Sequence, residues 1–188
     1  YNDPRIKSYF NLAQDGRDKE GNIIKEVAGV KQLNSIEGEY KGVRQGTGVA
    51  DNRYSTHSQT AITTGSKIIV MSAAEVWFLR AEAALRNYTS ENVENCYKQG
   101  ITVSFAQWDA SGVSEYLESE ETPAAYVDAF DKKFDADAPT SITPKWDESA
   151  PLELKLERII TQKWLAIYPE GCEAWAEQRR TGYPRLIK

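Results

Sequence analysis

Residues 72–86 read SAAEVWFLRAEAALR, and this stretch decides the fold. Ser72 is a good helix-capping residue, and Glu75 follows it at the spacing of a capping box. Beyond the cap, apolar side chains recur every three or four residues, which aligns them along one face of a helix. These residues are Ala74, Trp77, Phe78, Ala81, Ala84, Leu85 and Tyr88. We therefore predict an amphipathic helix that begins near Ser72 and buries Trp77.

A second helical pattern follows after a short link and begins near Ser90. Its apolar face consists of Val93, Cys96, Tyr97, Gly100, Ile101, Ser104, Phe105 and Trp108. Two amphipathic helices joined by a short link form an αα-hairpin, here predicted to be antiparallel with Phe105 buried. Gly100 lowers helix propensity, so its place on the apolar face indicates close helix contact. Such hairpins are the units of tetratricopeptide solenoids, although no second copy recurs at a fixed period.

The rest of the region after residue 70 also has helical patterns. The predicted helices lie around Tyr116 and Leu117, from Thr122-Pro123 through Phe130, from Pro151 to Ile167, and from Cys172 to Arg180. The acidic segment 131–148 is predicted to be a surface loop. At the end of the last helix, Arg179 and Arg180 stand where the helix dipole favours positive charge. We expect one or both to form structural ion pairs rather than an anion site.

Residues 1–70 have a different character and contain eight of the twelve glycines. Short alternating stretches at 23–27 and 67–70 predict strands. The polar segment 37–65 predicts a long ordered loop, a type of segment that often carries function. The chain is therefore predicted to be one mainly α domain over 1–188, loop- and strand-rich in 1–70 and helical in 71–188.

Composition excludes several classes of function. The net charge of −5 and the pI of about 5.1 argue against nucleic-acid binding. No apolar run approaches the roughly 20 residues that span a bilayer. The two cysteines cannot form a standard zinc set with the single histidine. Cys96 lies on an apolar helix face and is predicted to be a buried free thiol, with a disulfide to Cys172 as the alternative.

Catalytic motifs are missing from the sequence. His57 is the only histidine, no serine stands in a nucleophile elbow, and no glycine-rich loop has a phosphate-binding context. We therefore expect no catalytic residues, no cofactor and no metal. Asp135 and Asp137 could together ligate calcium, but a solvated acidic loop is the favoured interpretation.

The segment 37–65 carries the candidate ligand contacts. Flat rings can stack on the C–H faces of sugars, while amide and guanidinium groups can bond sugar hydroxyls. The candidates are Tyr40, Asn52, Arg53 and Tyr54. The alternative is that both tyrosines only pin the loop to the core. Among the tryptophans, Trp77, Trp164 and Trp175 are predicted to pack in the core. A structural role is also favoured for Trp108 and Trp146, with ligand contact as the alternative, so they are the next candidates if the loop residues do not bind.

Several motifs spread over the chain together resemble the SusD/RagB family. They are ERIITQKWLAIY at 157–168, EAWAEQRRTGYP at 173–184, AEVWFLRAEAALR at 74–86, NDPR at 2–5 and YF at 9–10. Any one of these would be a weak signal, but the combination is specific. In this family Trp164, Trp175, Arg179 and Arg180 look structural, and no motif maps the ligand contacts.

The resemblance implies a larger protein with tetratricopeptide-like hairpins that support a loop-rich region. Its members are anchored at the cell surface of the outer membrane by a lipidated N-terminal cysteine, which this chain lacks. They capture glycans or other nutrients for a SusC-like TonB-dependent transporter. This chain is thus similar to an internal, C-terminal portion of such a protein. We expect nutrient capture, with a protein-interaction module that has no ligand of its own as the alternative and a hydrolase of acidic sugars as a distant third.

Overall fold

The computed structural model describes residues 1–27, 29–44, 54–66 and 68–187. In chain order the elements are α1 (Ile6–Tyr9), β1 (Glu26–Val27), β2 (Val30–Lys31), α2 (Ala73–Leu85), α3 (Val93–Gln107), α4 (Val113–Leu117), a 3-10 turn (Lys132–Phe134), α5 (Leu152–Ala166) and α6 (Gly171–Thr181). The only strand pair in these described ranges is the antiparallel β1–β2 ribbon. The prediction of a mainly helical fold with a few short strands is confirmed.

The described chain forms two compact units. The helical unit comprises Tyr1–Arg5, Lys67–Ala124 and Pro139–Leu186. The loop-rich unit comprises Ile6–Ser66, Ala125–Ala138 and Ile187–Lys188. That residues 1–188 behave as one domain stays a prediction.

Helices α2 and α3 form the predicted hairpin. Ser72 caps α2, since its hydroxyl accepts a hydrogen bond from the Glu75 amide at 3.0 Å. The cap of α3 is Asn92, close to the start predicted near Ser90, because the Asn92 side chain accepts a bond from the Asn95 backbone amide at 2.7 Å. An ion pair joins Arg80 to Glu91 near the link. Further from the link, the Phe78 ring lies 6.2 Å from that of Tyr97. The two helices therefore run in opposite directions.

The core of the helical unit is built on this hairpin. Phe78, Tyr97 and Phe105 are all at most 1% exposed. A Cβ atom added at Gly100 would lie 2.8 Å from the Phe78 ring, so only glycine allows this approach. The prediction that Trp77 is buried was wrong. It is half-buried at the edge of the core, and the Arg80 guanidinium lies 3.8 Å from its ring centroid.

Two other predicted elements are absent from the described residues. Residues 122–130 are not helical, because Tyr126 instead exchanges backbone hydrogen bonds with Ala136 in an isolated antiparallel bridge. Residues 68–70 do not form a strand, and Ile68 and Val70 are about nine-tenths exposed. The strand predicted at 23–27 is shorter, with only Glu26–Val27 in the ribbon.

A charged cluster ties α6 to the hairpin and α5. The Lys163 ammonium, 1% exposed, lies 2.9 Å from Glu177, 3.0 Å from Glu173 and 3.6 Å from Glu75. Arg180 extends the cluster, with its guanidinium 2.7 Å from carboxylate oxygens of both Glu177 and Glu82. The expected structural ion pair at this helix end is confirmed.

The remaining predictions for tryptophan and cysteine residues of the helical unit were partly right and partly wrong. Trp175 is 63% exposed, so its predicted core placement was wrong, and the Arg179 guanidinium lies 4.8 Å from its ring centroid. Trp146 is buried and donates to Glu148, which makes it part of the core rather than a candidate contact. Cys96 is a buried free thiol as predicted, and Cys172 is free and exposed. Within the described ranges, none of the helices has the length and apolar character to cross a membrane.

Candidate functional site

The loop-rich unit is organised by two extended segments that lie side by side. The backbone amide of Asn11 donates to the backbone carbonyl of Gln59 at 2.8 Å, and the backbone amide of Gln14 donates to the backbone carbonyl of Thr56 at 3.0 Å. Phe10 and Thr60 form an antiparallel bridge at one end. This irregular pairing satisfies backbone groups that a regular sheet would otherwise satisfy.

The buried carboxylate of Asp15, in the first of these segments, fixes residues 32–36 beside it. Asp15 is 5% exposed and accepts hydrogen bonds from the Ser35 hydroxyl at 2.6 Å, the Gln32 amide group at 2.8 Å and the Ile36 backbone amide at 3.0 Å. Burial opposes ionisation of this group, but the hydrogen bonds outweigh burial and lower the pKa of Asp15. The carboxylate is therefore ionised at neutral pH and holds residues 32–36 in place.

The two segments border an open cleft of about 430 Å³. Its exposed rim is formed by Asn11, Leu12, Gln14, Arg17, Ser55 and Gln59. The other lining residues, which are buried or half-buried, are Asp15, Gly16, Thr56 and His57. The volume lies within the range of small-molecule sites, roughly 300–1,000 Å³. Five of the ten lining residues carry a side-chain amide or hydroxyl group, so the cleft can form hydrogen bonds with a ligand.

His57 is the most unusual residue of this cleft. It is 3% exposed, and its ring lies 5.0 Å from that of Tyr54 and 6.3 Å from that of Phe130. Neither ring nitrogen has a hydrogen-bond partner in the part of the chain that the structure describes. Burial lowers the pKa of His57, which is partly opposed by the Asp128 carboxylate. The imidazole is therefore neutral at pH 7.

Of the four predicted ligand contacts, two lie among the described residues. Tyr54 packs its ring edge on Phe130 at 5.4 Å, and its hydroxyl lies 3.1 and 3.2 Å from the two carboxylate oxygens of Asp128. These contacts favour the alternative in which Tyr54 pins the loop to its core. Tyr40 is half-buried, while Asn52 and Arg53 lie outside the described residues. The role of these four residues in ligand binding stays a prediction.

The cleft brings together residues that the sequence did not single out. Asn11, Gln14 and Arg17 come from a segment with no motif of its own, and they meet the predicted loop only through the backbone pairing. The described residues contain no group of three or more His, Cys, Asp or Glu that could hold a metal ion. Asp135, one half of the possible calcium pair, accepts a bond from the Asp128 amide at 2.7 Å.

We expect the buried imidazole of His57 to make the stability of the protein pH-dependent. Because the pKa of His57 in the folded state lies below its unfolded value of 6.5, its contribution is complete above pH 6.5 and is lost as the pH falls. His57→Phe keeps a ring against Phe130 and removes the titrating nitrogens. Thermal melts at about pH 7.5 and about pH 5.5 should show a smaller pH effect in the variant. An equal decrease of Tm in both proteins would contradict this assignment.

Comparison with known proteins gives a consistent result. A family model described as SusD-like, "Susd and RagB outer membrane lipoprotein", matches residues 1–188. A SusD homologue of Bacteroides vulgatus is 41% identical, with a TM-score of 0.82, over 99% of this chain and 36% of that chain. A chitin-binding SusD homologue of Flavobacterium johnsoniae is 39% identical, with a TM-score of 0.83, over 99% and 35%.

A third structure, a SusD homologue of Bacteroides thetaiotaomicron, is 35% identical with a TM-score of 0.82, over 98% of this chain and 36% of that chain. A search of curated proteins finds no match. The chain thus spans about a third of the length of the solved structures that it matches. The family match over the whole chain, together with the agreement in fold, shows that the chain belongs to the SusD-like family.

Proposed function

We propose that the protein captures glycans at the bacterial outer membrane and does not act on them chemically. The observation that carries this proposal is the family match over residues 1–188, strengthened by the 39% identity to a chitin-binding homologue. The polar cleft of the loop-rich unit supports it, because amide-rich linings suit hydroxylated ligands.

The route of the captured ligand is part of the same proposal. The family description places its members at the outer membrane as lipoproteins. We propose that this protein is held at the cell surface by a lipid anchor and delivers its ligand to a SusC-like TonB-dependent transporter. Co-purification of such a transporter with the tagged full-length protein, from outer membranes, would test this partner.

Binding for delivery does not require high affinity. A dissociation constant between micromolar and millimolar corresponds to a binding free energy of about −8 to −4 kcal/mol, which would allow release of the ligand to the transporter. We expect calorimetry of the full-length protein to show such binding for at least one oligosaccharide in a panel from chitin, starch, xylan, mannan and galactan. Unchanged oligosaccharides after long incubation would support a non-catalytic role. Binding of proteins but of no oligosaccharide would instead favour the interaction-module alternative.

A further inference from the structure

We propose that the cleft between residues 11–17 and 55–59 is a binding subsite for one or two residues of an uncharged glycan. The proposal rests on the function proposed above and deepens it by assigning a place and a ligand class. It moves the ligand contacts from the four predicted residues to the side chains that line this cleft.

The first support is the hydrogen-bonding capacity of the rim. Asn11, Gln14 and Gln59 each carry an amide that both donates and accepts, as a sugar hydroxyl also does. The Gln59 side-chain nitrogen donates to the Ser55 carbonyl of its own segment at 3.2 Å, which fixes that side chain. The backbone pairing of the two segments brings residue 59 next to residue 11. The arrangement suits a ligand with hydroxyls on several sides.

The rim also supplies an apolar surface. Leu12 is 49% exposed and lies in the lining between two of the amides. A sugar ring has C–H faces as well as hydroxyls, so contact with an aliphatic side chain next to hydrogen-bonding groups matches both parts of its surface. A ligand that is polar throughout would gain nothing from Leu12.

The charges of the cleft select against anionic sugars. Asp15 belongs to the lining, and its carboxylate oxygens already accept hydrogen bonds from Ser35 and Ile36. Arg17 also belongs to the lining, and its guanidinium lies 3.1 Å from the Glu37 carboxylate. Among the described residues of the lining, Asp15 and Arg17 thus already have partners, and the charge of a uronic acid or a sulfated sugar would lose water without gaining a new partner from them. An uncharged glycan has no such cost.

The experiment measures oligosaccharide affinity in the full-length protein by calorimetry. The probes are uncharged oligosaccharides from chitin, starch, xylan, mannan and galactan, and anionic ones from polygalacturonate and chondroitin sulfate. The variant Gln14→Ala/Gln59→Ala removes two amides from the rim and leaves the backbone pairing intact. The matched control is Gln107→Ala, which removes an exposed amide at the end of α3 in the helical unit.

We expect at least one uncharged probe to bind and the double variant to bind it at least about tenfold more weakly, with an unchanged Tm. Gln107→Ala should keep the wild-type affinity. Wild-type affinity in the double variant would overturn the subsite and leave glycan capture intact. Binding of anionic probes alone would overturn the ligand class. If no probe binds, the proposed function fails and the subsite fails with it.

Discussion

Replacement of Arg5 by methionine is expected to lower the free energy of unfolding by about 3–5 kcal/mol. Arg5 is 0% exposed and is the largest fully buried side chain of the described residues. Its guanidinium bonds both carboxylate oxygens of Asp3, at 3.0 and 2.6 Å, and also donates to Ser104 at 2.8 Å and Gln162 at 3.0 Å. Methionine would fill much of the space but leave the Asp3 carboxylate, itself largely buried, without its cation.

The matched control for Arg5 is Arg17→Met. The Arg17 side chain is 46% exposed, and its pair with Glu37 is an exposed one that contributes at most about 1 kcal/mol. Urea denaturation of both variants measures the difference directly. Equal, small effects in both proteins would show that the Asp3–Arg5 pair does not hold the N-terminal segment to the helical core. The prediction also gives a physical role to the NDPR segment, whose Arg5 reaches α3 and α5.

Phe105→Ala is expected to destabilise the helical unit by about 3–5 kcal/mol. Phe105 is 1% exposed, and its ring lies 5.2 Å from the Tyr116 ring and 5.0 Å from the Arg5 guanidinium. Truncation would leave a cavity bordered by a rigid hairpin that cannot collapse into it. The loss would therefore include both the transfer of the ring and the cavity.

The control for Phe105 is Tyr88→Ala, which removes another aromatic ring next to the same hairpin. Tyr88 is 78% exposed, so its truncation should change stability by no more than about 0.5 kcal/mol. Thermal and chemical denaturation of both variants provides the measurement. An unchanged Tm for Phe105→Ala would be inconsistent with its place in the core.

The sequence predicted the hairpin because its pattern is local and strongly periodic. The same periodicity could not separate Trp77 from Phe78, since adjacent residues on a helix differ by about 100° and both belong to a wide apolar face. Packing decides between them, because Gly100 leaves room for the Phe78 ring. Long amphipathic patterns are therefore reliable for the existence of a helix and weaker for its exact buried face.

Local signals misled the prediction where distant contacts compete with them. Thr122-Pro123 resembles a helix start, but the following residues instead find backbone partners at Ala136 and a carboxylate at Asp128. The Asp128 side chain accepts bonds from the Phe130 and Asp131 amides and from Tyr126. These bonds offer the backbone an alternative to a helix.

Only one of the two segments that form the candidate site could be predicted from the sequence. The segment 37–65 was predicted to be functional from its composition, and it does supply Ser55, Thr56, His57 and Gln59 to the cleft. The opposite wall comes from Asn11, Gln14 and Arg17, about 40 residues away along the chain, through irregular pairing that has no periodic signature. No local pattern could indicate that the two segments meet.

A crystal structure of the full-length protein with a bound uncharged oligosaccharide, chosen as the tightest binder in the calorimetric panel, tests the central claim most directly. We expect a sugar ring in the cleft with hydroxyls within hydrogen-bonding distance, about 2.7–3.2 Å, of the Gln14 and Gln59 amides and a face against Leu12. A well-ordered oligosaccharide bound elsewhere, with the cleft between residues 11–17 and 55–59 free of sugar, would contradict the account.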